Sequence, residues 1–311
     1  MTAAEPVGAN SPIPGDGGPP AGGRPATALR PWRRSRVLRR LSRNKAAMAS
    51  LAMLAILVLI AVFAGLIAPH DPDRVALRLR LTGPSAEHWL GTDDLGRDVL
   101  SRLIVATRVD LLASLEAVGI ALLIGVPLGI VAGYFGGISD LLLGRVIDAL
   151  MTLPPLILAV VVVAILGPGL RNAMLAIAIL IVPGLYRVVR AATQSAGSEL
   201  YIESARAGGC SNWRILWRHI LPAAAPPLLV QASFSASVVI VAEASLSFLG
   251  LGARAPQATW GSMLQDASSN ITTSGYLVYP PTVMVAITIL ALSLLGDGLR
   301  DALGRQTTDS R

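Results

Sequence analysis

Long apolar stretches alternate with short polar ones along this 311-residue chain, and they fall at about 46–69, 108–134, 144–166, 170–191, 223–249 and 279–298. Each is long enough, as a helix, to cross the roughly 30 Å hydrocarbon core of a bilayer. Backbone groups have no water to bond there, so each run has to satisfy its own donors and acceptors as a helix. The pattern predicts an all-α, polytopic membrane protein with six transmembrane helices. Six spans put both termini on one side. Pro127, Pro154, Pro155, Pro183, Pro226 and Pro227 sit inside the runs, which membrane helices tolerate when neighbours satisfy the freed backbone groups. The adjacent pair Pro154-Pro155 is expected to kink or interrupt its helix.

Outside the runs the chain changes character. Residues 1–29 are rich in Pro, Gly and Ala and lack apolar periodicity, a composition that predicts a disordered tail. Residues 30–45 form a basic juxtamembrane segment with Arg33, Arg34, Arg36, Arg39, Arg40 and Arg43. Residues 46–303 make the membrane domain and 304–311 a polar tail. The first apolar run is too long and too far from the start for a cleaved signal peptide, so it reads as a retained anchor.

Composition agrees with a membrane protein: 53% of residues are hydrophobic, 14% are charged and the mean hydropathy is +0.62. The net charge of +7 fits basic loops and tails lying against anionic lipid better than nucleic acid binding, because much of it clusters just before the first run. With the N terminus inside, the interior collects the basic segment, Arg145, Arg187, Arg190, Arg206, Arg214 and Arg218. The exterior collects fewer, and its first loop dilutes them with acids. The arginine bias therefore predicts both termini in the cytoplasm.

Two polar segments carry the informative chemistry. The first runs from Tyr201 to Pro222, YIESARAGGCSNWRILWRHILP. Its first half is small and turn-forming, which lets another backbone come close. Its second half carries Arg214, Trp217, Arg218 and His219, which suit a headgroup surface, before an Ile220-Leu221-Pro222 stop. The second segment, His88 to Leu103, reads HWLGTDDLGRDVLSRL. Its acids do not have the spacing of an EF-hand loop and Arg97 sits among them, so a turn with Thr92 or Asp93 capping the next helix is the expectation.

The first segment closely resembles the cytoplasmic coupling loop of ABC importer permeases, a pattern of Glu-Ala-Ala, three residues, Gly, then Leu-Pro. Glu203, Ala205, Gly209, Leu221 and Pro222 fall in register, and Ser204 stands where the family usually has Ala. The second resembles the GTDxxGRD signature of the dipeptide, oligopeptide and nickel subfamily, specifically its second permease subunit, through Gly91, Thr92, Asp93, Gly96, Arg97 and Asp98. The stretches EASLSFLGLG (Glu243 to Gly252), Trp260-Gly261 and GDGLRDAL (Gly296 to Leu303) point to the same subfamily. Gly304-Arg305 depart from the family's usual Asp-Pro.

The resemblance implies a type I ABC importer permease fold in a bacterial plasma membrane. It also implies a complex with a homologous second permease, two ATP-binding subunits and an extracytoplasmic solute-binding protein. The loop 201–222 would then be a short coupling helix seated on an ATPase, with di- or oligopeptides as the favoured cargo and nickel or another small solute as the alternative. ATP and Mg would belong to the partner subunits, with no cofactor on this chain. A Walker A loop needs Gly-Lys-Ser/Thr, and the one lysine, Lys45, stands between Asn44 and Ala46.

The remaining polar residues suggest smaller roles. His70, His88 and His219 lie in separate segments without HExxH, so no metal site is expected. Cys210, the single cysteine, reads as a small filler residue. Glu116 lies deep in the second run and is either part of the translocation path or paired with a polar neighbour. Asp148 is expected to pair with Arg145, one turn away. An ion-coupled secondary transporter would explain the six spans but not the 201–222 pattern. A membrane enzyme would need converging acids or histidines at one membrane face.

Overall fold

The computed structural model describes residue 41 and residues 44–304; the expectations for the two tails and most of the basic segment lie outside these residues. The described chain is helical, with one isolated bridge between Thr92 and Asp98. Helix α1 spans Lys45–Val62, α2 Val99–Phe135, α3 Gly137–Thr152, α4 Pro155–Leu166 and α5 Leu170–Gly197. A short helix α6, Leu200–Ala207, leads through a turn to α7 at Leu221–Phe248, then α8 at Trp260–Ser269 and α9 at Tyr279–Gly304.

Among the described residues five helical stretches are long and apolar enough to cross a membrane, or six if α3 with α4, bent by 95° at their break, counts as one span. The break falls at Leu153-Pro154, where Pro155 opens α4. Proline cannot donate to the preceding turn, so the interruption expected at the proline pair is present. The other prolines stay inside continuous helices, Pro127 in α2, Pro183 in α5, and Pro226 with Pro227 in α7.

Several helix ends shift from the hydropathy reading, most of all the start of α2. Helix α2 begins at Val99 rather than near 108, because Arg102 and Asp110 are buried inside the bundle instead of marking a wet helix end. A charge that finds partners inside a protein does not interrupt a helix.

The core is built where α2 crosses α5. Gly125, Gly129 and Gly133 repeat every four residues along one face of α2 and let the backbones meet. A Cβ added at Gly129 would stand 2.8 Å from the Tyr186 carbonyl oxygen, and one at Gly133 2.7 Å from that of Arg190. Small residues at this spacing are how helices associate in lipid, where hydrophobic driving force between helices is absent. Met174, Ile177, Leu185 and Tyr186 fill the same interface from α5. Ion pairs add to it from α3: Arg190 reaches Asp140 at 2.6 Å and Arg187 reaches Asp148 at 2.7 Å. Asp148 therefore pairs across to α5, not with Arg145 on its own helix.

At the end of the bundle where α2 begins, the segment after α1 and helix α8 form a cap. Trp260 is fully buried there with Val99, Leu103 and Ile240. Gly261 permits the approach of α8 to α7, since a Cβ there would sit 2.7 Å from the Ala244 carbonyl oxygen.

Candidate functional site: the 200–222 segment and the 91–98 frame

Residues 200–222 fold into a helix, a turn and a second helical stretch. Helix α6 ends at Ala207, Gly208 caps it, and Gly209 turns the chain with φ of +76°. A left-handed φ disfavours any residue with a Cβ, which explains Gly209 locally. An added Cβ would meet nothing within 4 Å, so the strain, not crowding within the chain, is what demands glycine.

The chain then resumes as Asn212–Ile215, passes through one π turn at Leu216–Ile220 and enters α7. The expectation of one short helix ending at Ile220-Leu221-Pro222 is corrected here. Leu221 and Pro222 open α7, because proline fits the first turn of a helix, where its missing N–H is not needed.

Burial divides this segment into an anchor and a presented face. Ile202, Ile215 and Ile220 are fully buried with Ala196, and the half-buried Ala205 and Cys210 lean on the same cluster. Tyr134, near the end of α2, donates to Asn212 Oδ1 at 2.8 Å, and the Arg206 guanidinium lies 4.9 Å from its ring. Glu203, Ser204, Gly208 and Gly209 are exposed, as are Trp213 and Trp217, which meet edge to face at 5.6 Å. Glu203 makes no side-chain hydrogen bond or ion pair among the described residues. A buried base thus carries a small-residue surface with an exposed carboxylate on it.

The 91–98 frame stands at the opposite end of α2. Gly91 and Gly96 have φ of +74° and +75°, and a Cβ at Gly96 would fall 1.9 Å from the Ala76 carbonyl oxygen. Thr92 is fully buried and accepts from the Thr82 N–H at 3.0 Å. Asp93 accepts from the Leu95 and Arg97 N–H groups at 2.9 Å and from Arg97 Nε at 2.6 Å. That carboxylate is engaged by its own arginine, and Arg102 approaches it at 3.5 Å.

Arg97 extends this network to Asp266 of α8, 3.6 Å away. Burial, reinforced by the nearby Asp94, pushes the Asp266 carboxyl above its ordinary range despite Arg102 and Arg97. The cap of α2 is Asp98, not Thr92 or Asp93. Its Oδ2 accepts from Ser101 N–H at 2.8 Å and Ser101 Oγ at 2.7 Å.

Two pairings were not legible in the sequence. Asp110 and Glu243 are almost fully buried and are electrostatic neighbours between α2 and α7. Glu243 accepts from Ser247 Oγ at 2.7 Å; its place in EASLSFLGLG was the only signal. His70 and His88 come together with ring centroids 4.8 Å apart, although separate segments carry them. Glu116, by contrast, is exposed on α2 and makes no side-chain contact of the polar kind within the described chain.

Known proteins share this sequence and shape. Residues 125–309 match the family described as binding-protein-dependent transport system inner membrane component, and residues 31–84 match the N-terminal TM domain of oligopeptide transport permease C. The dipeptide transport system permease protein DppC of Alkalihalophilus pseudofirmus is 41% identical over 277 residues, 89% of this chain and 90% of that one. The glutathione transport system permease protein GsiD of Pectobacterium atrosepticum is 41% identical over 88% of this chain and 90% of its own. An inward-facing MetNI methionine ABC transporter chain superposes with a TM-score of 0.51 at 19% identity, over 65% of this chain and 97% of that one, which shows the shared fold. This multi-pass membrane chain belongs to the binding-protein-dependent transport system inner membrane components, as an ABC importer permease of the DppC/OppC type.

Proposed function

We propose that this chain forms half of the translocation pathway for di- or oligopeptides, beside a homologous second permease, and is driven by two ATP-binding subunits. An extracytoplasmic solute-binding protein delivers the cargo. Residues 200–222 face the cytoplasm and dock on an ATP-binding subunit. The observation that carries this reading is the presented face of that segment: exposed Glu203, Ser204 and Gly209 held on the buried Ile202, Ile215 and Ile220. Its relatives' names supply the cargo class.

ATP and Mg belong to the partner subunits. This chain supplies geometry: closure of the ATP-binding subunits moves the anchored segment, and with it α5 and α7, so that the bundle changes which side it opens to. Only differential affinity of the partners for the two states can drive such a change. The chain itself performs no hydrolysis, since its sole lysine cannot complete a phosphate loop.

The basic asymmetry of the loops supports cytoplasmic termini. We assign Glu116 to the face that lines the path between the two permeases, because a carboxylate mid-helix facing lipid would cost roughly a few kcal/mol. Uptake by the reconstituted complex against a panel of dipeptides, longer peptides and nickel tests the cargo. Dipeptide or oligopeptide accumulation supports the reading; accumulation of nickel alone overturns it.

A further inference from the structure

We propose that His70, His88 and Asp98 form a binding site for a divalent transition cation of the zinc class. Each residue offers one ligand atom, and the three atoms lie within 4.8 Å of one another. Zinc held at about 2.0–2.1 Å by tetrahedral ligands places those ligands about 3.4 Å apart, so the widest separation has to close by about 1.4 Å at most while the close His88–Asp98 pair opens slightly. Two imidazoles with one carboxylate suit this class of ion, whereas calcium and magnesium prefer oxygen alone.

The cluster is built rather than incidental. His88 is 8% exposed, and its Nδ1 lies 2.9 Å from Asp98 Oδ1. Asp98 is 2% exposed and fixed by Ser101, whose Oγ also accepts the His70 backbone N–H at 3.0 Å. His70 Nδ1 stands 3.9 Å from Asp98 Oδ2.

Two ring nitrogens, His70 Nδ1 and His88 Nε2, are buried without a hydrogen-bond partner. A buried polar atom left unpaired costs free energy, and a bound cation gives His70 Nδ1 a partner. The His70 side chain is 34% exposed and leaves an entry path. Bound metal would join the chain just after α1 to the cap of α2, fastening residues 70–98 to the bundle.

The test uses the full complex, purified with a tag that lacks histidine and in a Cys210→Ser background so that no thiol of this chain competes. Zinc binding is measured by titration against a chelating indicator. The proposal expects one more zinc per complex for wild type than for His70→Gln, an affinity loss of about tenfold or more in the variant, and a zinc-induced rise in Tm that the variant lacks. His70→Ala is expected to behave like His70→Gln, and His219→Gln to bind as wild type does. Equal zinc stoichiometry and affinity in wild type and His70→Gln would overturn the proposal, as would the absence of any zinc-dependent shift in Tm.

Discussion

Asp110 Oδ2 accepts a hydrogen bond from the backbone N–H of Trp260 at 2.9 Å, joining residues 150 positions apart. Both are buried, so the bond ties the first turns of α8 to the side of α2. Asp110→Ala leaves a buried N–H without an acceptor, and the expected loss is about 1–3 kcal/mol of stability. Asp110→Asn keeps an acceptor oxygen and loses less. Unfolding of the detergent-solubilised complex measures both; an alanine variant as stable as wild type would contradict the latch.

The glycine face of α2 gives a sharper contrast. Gly129→Ala forces a methyl to within 3 Å of the α5 backbone and Val189, and overpacking of this kind costs about 1–3 kcal/mol. Gly119→Ala meets nothing within 4 Å and is expected to be harmless or slightly favourable to the helix. Yield of folded protein and Tm should fall for the first and hold for the second.

Hydropathy marks the apolar centre of each long helix, because twenty apolar residues in a row admit few other readings, but not the early start of α2 nor the short helices α6 and α8. It also located the proline break and both polar motifs. What it could not reveal were closures between distant residues. Asp110 finds Trp260, Arg187 finds Asp148 and His70 finds His88 only after the bundle folds. The cap of α2 was misassigned for a related reason. Thr92, Asp93 and Asp98 are all competent capping residues, and only the turn fixed by Gly91 and Gly96 decides that Asp98 stands at the helix end.

Asp266 gives a pH prediction. Its carboxyl is raised in the folded protein, with burial the first cause and Asp94 the second. The folded state therefore binds its proton more tightly than the unfolded one, and this group's contribution to stability falls as pH rises from the unfolded to the folded value. Asp266→Asn is expected to lift stability relative to wild type at neutral pH, with the difference shrinking as pH falls toward about 4 and absent below it. A difference that grows on acidification would contradict the assignment.

Orientation can be read from two serines. Ser198 and Ser269 are exposed near opposite ends of the bundle. In a Cys210→Ser background, an impermeant thiol reagent applied to intact cells should label Ser269→Cys and spare Ser198→Cys. The reverse pattern would invert the topology.

Coupling through residues 200–222 is the central claim, and Glu203→Arg tests it most directly. The side chain is exposed and unpaired among the described residues, so the bundle should fold and the complex assemble. The measurement is ATP-dependent uptake of a labelled dipeptide by proteoliposomes, with ATP hydrolysis followed in the same preparation. The account predicts at least a tenfold loss of uptake together with loss of peptide-stimulated hydrolysis. An assembled Glu203→Arg complex that transports and hydrolyses at wild-type rates would contradict it.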